Sequence, residues 1–160
     1  MSIEVGSRVP SGKFRISTAD GPADLTTAQL FDGKRVVLFA VPGAFTPTCD
    51  ARHLPGYVEQ ADQFRARGVD TVACLSVNDV FVMKAWGKSA GVGDKVLMLA
   101  DGNGDCARAL GLSFDGSAHG MGQRAQRFAM VVKDGVVEQL FVEAPGKFDV
   151  SAADYVLARL

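Results

Sequence analysis

Three short runs of largely apolar residues, Arg35–Val41, Thr71–Val77 and Val96–Ala100, constrain the fold more than any other feature of the chain. Each is too short for a buried helix and is followed by turn-forming residues. Each therefore reads as a strand buried on both faces, the habit of strands paired in parallel. Helix signals separate them. After the first run, Pro42-Gly43 marks a turn, Thr46 suits an N-cap, and Pro47 suits the first helical position, where its missing N–H costs nothing. Leu54, Tyr57, Val58, Ala61 and Phe64 continue at helical spacing until Gly68. Pro55 falls inside that helix and predicts a kink, because it removes one hydrogen bond and crowds the carbonyl a turn back.

After the second run, Asn78 or Asp79 can cap a helix from Val80 to about Lys88. The third run leads through Asp101-Gly102-Asn103-Gly104 to a short helix, capped by Asp105 and closed at Gly111. Ser113–Gln123, rich in Gly and Ser, reads as irregular. Phe128–Lys133 and Val136–Val142, joined by Asp134-Gly135, form a two-residue hairpin. Ser151 caps a final helix to Leu160, and Ser7–Asp32 reads as loop with an edge strand or hairpin near Phe14-Arg15-Ile16. Strands alternating with helices, then a hairpin, give an α/β fold with a mixed central sheet flanked by helices. At 160 residues, with no linker or repeat, residues 1–160 form one domain.

Cys49 stands out within this frame. It lies in the first turn of the helix after the first strand, where unpaired N–H groups and the positive end of the helix dipole favour a thiolate. An ordinary cysteine, with a pKa of about 8.5, is only slightly ionised at neutral pH, and lowering that by roughly two units takes about 3 kcal/mol. A helix terminus supplies about 0.3–1 kcal/mol, up to ~2 when partly buried. A cation is therefore required nearby, unless Cys49 is simply a small, inert core residue. Arg124 and Arg127 flank the mouth of the Phe128–Lys133 strand, and each could equally be a solvated arginine. His53 lies four residues beyond Cys49 and could share its helix face. No orienting carboxylate is evident for a Cys–His dyad, so His53 reads as structural. Cys74 is mid-strand and buried. Cys106, at a helix start, reads as nearer solvent and moderately acidic.

Pro42, Thr46 and Cys49 stand as Pro-x-x-x-Thr-x-x-Cys, and this pattern resembles the active site of the peroxiredoxins. The stretches PGAFTPTCDARHLPGY from Pro42, VACLSVNDVFVMKAWG from Val72 and RFAMVVKDGVV from Arg127 are similar to the type II (type five) branch, over nearly the whole chain. The resemblance implies a thioredoxin-like fold and a thiol peroxidase that reduces hydrogen peroxide and alkyl hydroperoxides through a sulfenic acid at Cys49. It places the activating arginine at Arg127, since the family's arginine directly precedes the aromatic of that strand. A cation about 4 Å from the thiolate contributes roughly 4 kcal/mol at an effective dielectric of 20, which covers the shortfall. The resemblance also implies that the Thr46 hydroxyl faces both sulfur and peroxide and that Pro42 shields the thiolate. Gly43, Ala44, Phe45 and Thr48 are expected at the substrate pocket. Relatives often carry Ser after the cysteine where this chain has Asp50, a carboxylate that opposes ionisation next door.

No cofactor is implied, and regeneration falls to an external thiol, glutathione with glutaredoxin ahead of thioredoxin. Relatives with an internal disulfide carry a resolving cysteine near the C-terminus. Here only Cys106 and Cys74 are available for that step. A homodimer through the active-site loop is also implied, with Phe45 and Val80–Trp86 as contacts. Two other classes fit the same cysteine: a glutathione-linked thiol transferase, and a non-enzymatic redox sensor or holdase. A net charge of −1 with mixed signs suggests neither nucleic acid nor membrane as a partner. The start MSIEVGSRVP lacks a signal pattern, and three cysteines do not make a disulfide scaffold, so the expected compartment is the cytoplasm. Gly87-Lys88-Ser89 lacks the first glycine of a P-loop, and Asp101-x-Asn103-x-Asp105 lacks the glycine and glutamate of a calcium loop. No zinc-like spacing or C-x-x-C pair occurs.

Overall fold

In the computed structural model, which describes residues 2–160, a seven-stranded mixed sheet carries helices on both faces. Strands β1 (Lys13–Thr18) and β2 (Gly21–Thr26) form the N-terminal hairpin, followed by helix α1 (Thr27–Phe31). The core strands are β3 (Arg35–Val41), β4 (Thr71–Ser76) and β5 (Leu97–Ala100). Between them lie a π turn (Cys49–His53) running into α2 (Leu54–Ala66), then α3 (Val80–Ser89). Helix α4 (Asp105–Ala109) precedes a small ribbon of β6 (Ser113–Asp115) and β7 (Gln123–Ala125). The chain closes with β8 (Phe128–Lys133), β9 (Val136–Val142) and α5 (Ala153–Leu157).

The sheet order is β2-β1-β5-β4-β3-β8-β9, with β3, β4 and β5 parallel and the outer pairs antiparallel. Burial on both faces follows from that order. Along β3, Val37, Phe39 and Val41 point into one core with α2, α3 and α5, while Val36, Leu38 and Ala40 point into a second core with α1 and α4. The first core is anchored by a stack in which the Phe39 and Tyr57 rings lie 4.0 Å apart and nearly parallel, with Phe64 5.5 Å beyond. Truncating Phe39 to Ala would cost about 3–5 kcal/mol.

Several local expectations are corrected. The Ser7–Asp32 segment does hold the expected hairpin, and β1 extends the main sheet through Arg15 opposite Ala100. Its helix α1 carries a complete capping box between Thr26 and Gln29. Ser113–Gln123 is partly ordered by the β6–β7 ribbon. Asp105 does not cap α4. The carboxylate of Asp101 does so instead, accepting from the N–H groups of Cys106 (3.0 Å) and Ala107 (2.9 Å). Ser151 does not cap the last helix, which begins only at Ala153. Asp79 does cap α3, its carboxylate accepting from Val82 N at 2.8 Å.

Pro55 acts differently from the expected kink within a continuous α-helix. It sits in the first turn of α2, directly after the five-residue π turn, whose closing bond runs from Leu54 N to Cys49 O. The wider turn absorbs the proline, because the backbone ahead of it has already left the α-helical ladder where its ring would clash.

Candidate active site

Cys49 opens the π turn and is fully buried. The preceding loop is held from three directions. The hydroxyl of Thr46 donates to Gly43 O at 2.6 Å, Ala44 N donates to the side-chain oxygen of Asn78 at 2.9 Å, and Arg124 donates to Met121 O at 2.8 Å and reaches Pro42 O and Val77 O at 3.4 Å. A side chain at position 43 would stand 3.0 Å from the Thr46 methyl and 3.2 Å from the Arg124 guanidinium, so it would crowd both and they would have to shift. Phe45 adopts φ +61°, uncommon for a bulky residue, and is half exposed, its ring 6.3 Å from that of Trp86.

Of the two arginines, Arg127 reaches the sulfur. Its Nη2 donates to Cys49 Sγ at 3.0 Å, and its Nη1 donates to His53 Nδ1 at 2.8 Å. Arg124 serves the loop backbone instead. His53 is fully buried, and its Nε2 lies 3.0 Å from the carbonyl oxygen of Ser151, which also accepts the Tyr57 hydroxyl at 2.7 Å. A carbonyl only accepts, so Nε2 carries the ring proton and Nδ1 is free to accept from Arg127. Burial, then the Arg127 charge, lowers the His53 pKa to about 3, so the ring is neutral and remains an acceptor. His53 is thus the acceptor that fixes one arm of the guanidinium while the other faces the sulfur. The sequence signal for it was the four-residue spacing from Cys49, but the partner, Arg127, is remote in sequence.

The Thr46 hydroxyl proton is committed to Gly43 O, and no hydrogen bond joins it to sulfur among the described residues. The hydroxyl proton thus serves a bond within the loop, which leaves the hydroxyl's lone pairs free to accept. Asp50 is exposed and accepts the Trp86 indole N–H at 2.8 Å, which ties the start of the π turn to α3. A cavity of about 520 Å³ opens in front of Arg127, walled by Pro42, Thr48, Phe114, Glu143, Lys147 and Phe148 among others. Gly43, Ala44 and Phe45 form the loop behind Pro42 rather than this wall.

Cys74, paired with Phe39 across β3 and β4, lies in the same core as Cys49 and is fully buried. Burial, and secondarily the neighbouring Cys49, pushes its thiol pKa well above the usual range. Cys106 packs against the opposite core. Burial, then the Asp101 carboxylate, pushes its pKa up to about 12, so it is not the moderately acidic thiol expected of a helix start. As a resolving thiol it is the weaker candidate, since the sheet separates it from Cys49. Among the described residues no cluster of three or more His, Cys, Asp or Glu could hold a metal ion, and no helix is long and apolar enough to cross a membrane.

Residues 4–157 match the Redoxin family model. The chain is 46% identical to Peroxiredoxin-2B of Arabidopsis thaliana, an alignment covering 99% of this chain and 98% of that protein. It is 48% identical to the chloroplastic Peroxiredoxin-2E-2 of Oryza sativa, over 99% of this chain and 73% of that one. Among solved structures, reduced Prx3 of Vibrio vulnificus in complex with hydrogen peroxide superposes with a TM-score of 0.95, at 50% identity and 98% coverage of both chains.

Proposed function

The chain belongs to the redoxin family as a thiol-dependent peroxidase of the peroxiredoxin type, and from that premise we propose that Cys49 is its peroxidatic residue, served by Arg127, Thr46 and Pro42. The observation that carries this reading is the 3.0 Å contact between Arg127 Nη2 and Cys49 Sγ, with the guanidinium fixed by neutral His53. The thiolate attacks the terminal oxygen of hydrogen peroxide or an alkyl hydroperoxide. A sulfur–oxygen bond forms as the O–O bond breaks, and water or the alcohol leaves after taking a proton. Arg127 stabilises the charge that moves from sulfur to the departing oxygen, while the Thr46 lone pairs accept from the peroxide. Pro42 and Thr48 border the approach. Mass spectrometry after one equivalent of peroxide tests the assignment. One added oxygen at Cys49 is expected, and oxidation confined to Cys74 or Cys106 would overturn it.

In the proposed cycle an external thiol returns Cys49 to its reduced form, with glutathione and glutaredoxin ahead of thioredoxin. The thiol displaces water from the sulfenic acid to give a mixed disulfide, which a second thiol reduces. What supports this is the state of the other cysteines, Cys74 sealed in the core and Cys106 on the far face. The double variant Cys74→Ser, Cys106→Ser should retain most activity with glutathione and glutaredoxin. Collapse of turnover while Cys49 still oxidises quickly would make one of them the resolving thiol. The proposed compartment is the cytoplasm, where glutathione keeps thiols reduced. The proposed homodimer uses the face around Phe45 and Phe81, which are 49% and 69% exposed. Within the expected contact segment Val80–Trp86, Trp86 itself is buried in the core. A monomer mass by light scattering in both redox states would remove the dimer.

A further inference from the structure

Glu143 lies at the end of β9, and its backbone N–H donates to the carbonyl of Arg127 at 3.0 Å. Its side chain turns to the connection between β9 and α5. One carboxylate oxygen, Oε2, accepts three hydrogen bonds there: from Asp149 N at 2.6 Å, Ser151 N at 2.8 Å and the Ser151 hydroxyl at 2.6 Å. Burial alone would raise its pKa, but the Ser151 hydroxyl and the N–H groups of Asp149, Ser151 and Val150 outweigh it, so the group stays ionised. Charge-assisted bonds of this kind are stronger than neutral ones, so the three together hold the connection in one geometry.

Their effect is to set the peptide of Ser151, whose carbonyl is the double acceptor for Tyr57 and His53. That carbonyl determines which ring nitrogen of His53 is protonated, and the other nitrogen holds Arg127. Resting on the peroxidase reading above, we propose that Glu143 is a positioning residue for the peroxide-reducing centre, acting through Ser151 and His53 on the Arg127 guanidinium. The connection closes on itself. Glu143 is bound to Arg127 directly through the backbone and again through three side-chain and carbonyl links. The same loop carries Phe148, whose ring lies 5.0 Å from that of His53, with the Arg52 guanidinium 4.7 Å and that of Arg127 5.9 Å from its centroid. Displacement of the loop would therefore be felt at both nitrogens of His53.

A mutant cycle on the full chain tests this. The second-order rate of Cys49 oxidation by hydrogen peroxide is measured for the parent, Glu143→Gln, His53→Gln and the double variant, with Arg127→Ala as reference. Nitrogen-15 NMR of the imidazole reports the tautomer. Glu143→Gln is expected to slow oxidation about tenfold in the parent, the loss of one charge-assisted contact expressed as a rate. It should add almost nothing once His53 is Gln, and the His53 signals should leave the pure Nε2-protonated pattern. Ser151→Ala, which keeps the two backbone bonds to Glu143, should show a milder, equally His53-dependent slowing, and it decides the question if Glu143→Gln does not fold. Full rate in both variants, equal slowing with and without His53, or an unchanged tautomer would each overturn the proposal. An Arg127→Ala protein as fast as the parent would instead overturn the reading on which it rests.

Discussion

Cys49 and Cys106 make a controlled comparison. Both stand near the start of a helical segment, and each has an aspartate beside it, Asp50 after one and Asp105 before the other. Local sequence alone predicts a similar push toward the thiolate. What approaches each sulfur from outside the segment differs. At Cys106 the remote partner is Asp101, which takes the backbone N–H groups of Cys106 and Ala107 and adds a negative charge to the effect of burial. At Cys49 the remote partner is Arg127, and the adjacent Asp50 is drawn off to the Trp86 indole. Helix dipoles supply about 1 kcal/mol, whereas a charge at contact distance supplies several. At Cys106 burial leads and the Asp101 charge adds to it, whereas at Cys49 a cation meets the sulfur.

The largest expected effect sharpens this contrast directly. Cys49→Ser should abolish peroxide turnover with the fold intact, while Cys106→Ser should stay within about twofold of the parent. Steady-state peroxide consumption with an external thiol measures both. Next in size is the cation itself. Arg127→Ala should slow peroxide reduction by about two orders of magnitude and reduce the ultraviolet thiolate absorbance at neutral pH, with Arg124→Ala much milder. A larger effect at Arg124 would break the comparison, since the loop rather than the charge would then control the sulfur.

The third expectation concerns pH. The unfolded chain protonates His53 near the ordinary histidine value of about 6.5, and the folded protein does so only at about 3. Between those limits the unfolded state holds the extra proton, so stability falls as pH falls, by about 1.4 kcal/mol per pH unit from this residue. Urea unfolding from pH 6.5 down to pH 4 should show that slope in the parent and its loss in His53→Gln. The smallest effect is expected at the other cysteine. Asp101→Asn removes the charge but leaves the burial that is the main cause of the raised thiol pKa. Alkylation of Cys106 should therefore quicken by no more than about threefold.

The parts of this molecule that could be read from sequence are those encoded within a few residues. Strand β3, the Pro42-Gly43 turn, the Asp79 cap and the Asp134-Gly135 hairpin all carry their cause locally, in β-branched runs, caps and turn residues. Choosing Arg127 over Arg124 required a family pattern, because both flank β8 and only the fold shows which of them points at sulfur. What escaped was long-range bonding between side chain and backbone. Asn78 holding Ala44, Asp101 capping α4 from outside it and Glu143 gripping Ser151 join groups that no spacing rule connects. His53 was legible as a neighbour of Cys49. Its work was not, since both of its partners, Arg127 and Ser151, arrive from far along the chain. Pro55 was recognised as a disturbance to the helix. That the chain answers it with a wide turn just upstream depends on how Cys49 and Tyr57 must both reach the sheet.

The π turn makes the chain between Cys49 and Leu54 a matter of counting. The helix is one residue over-full at this point, so the half that presents sulfur to Arg127 and the half that packs Tyr57, Ala61 and Phe64 into the core are out of phase by that surplus residue. A chain shorter by one residue here would wind a regular helix with better backbone geometry. It would also turn the cysteine off the arginine. Length is thus fixed in this stretch more strictly than composition. Apart from Cys49 and His53, substitutions along it change side chains only, but an insertion or deletion would set the half that carries Cys49 and the half that packs the core against each other.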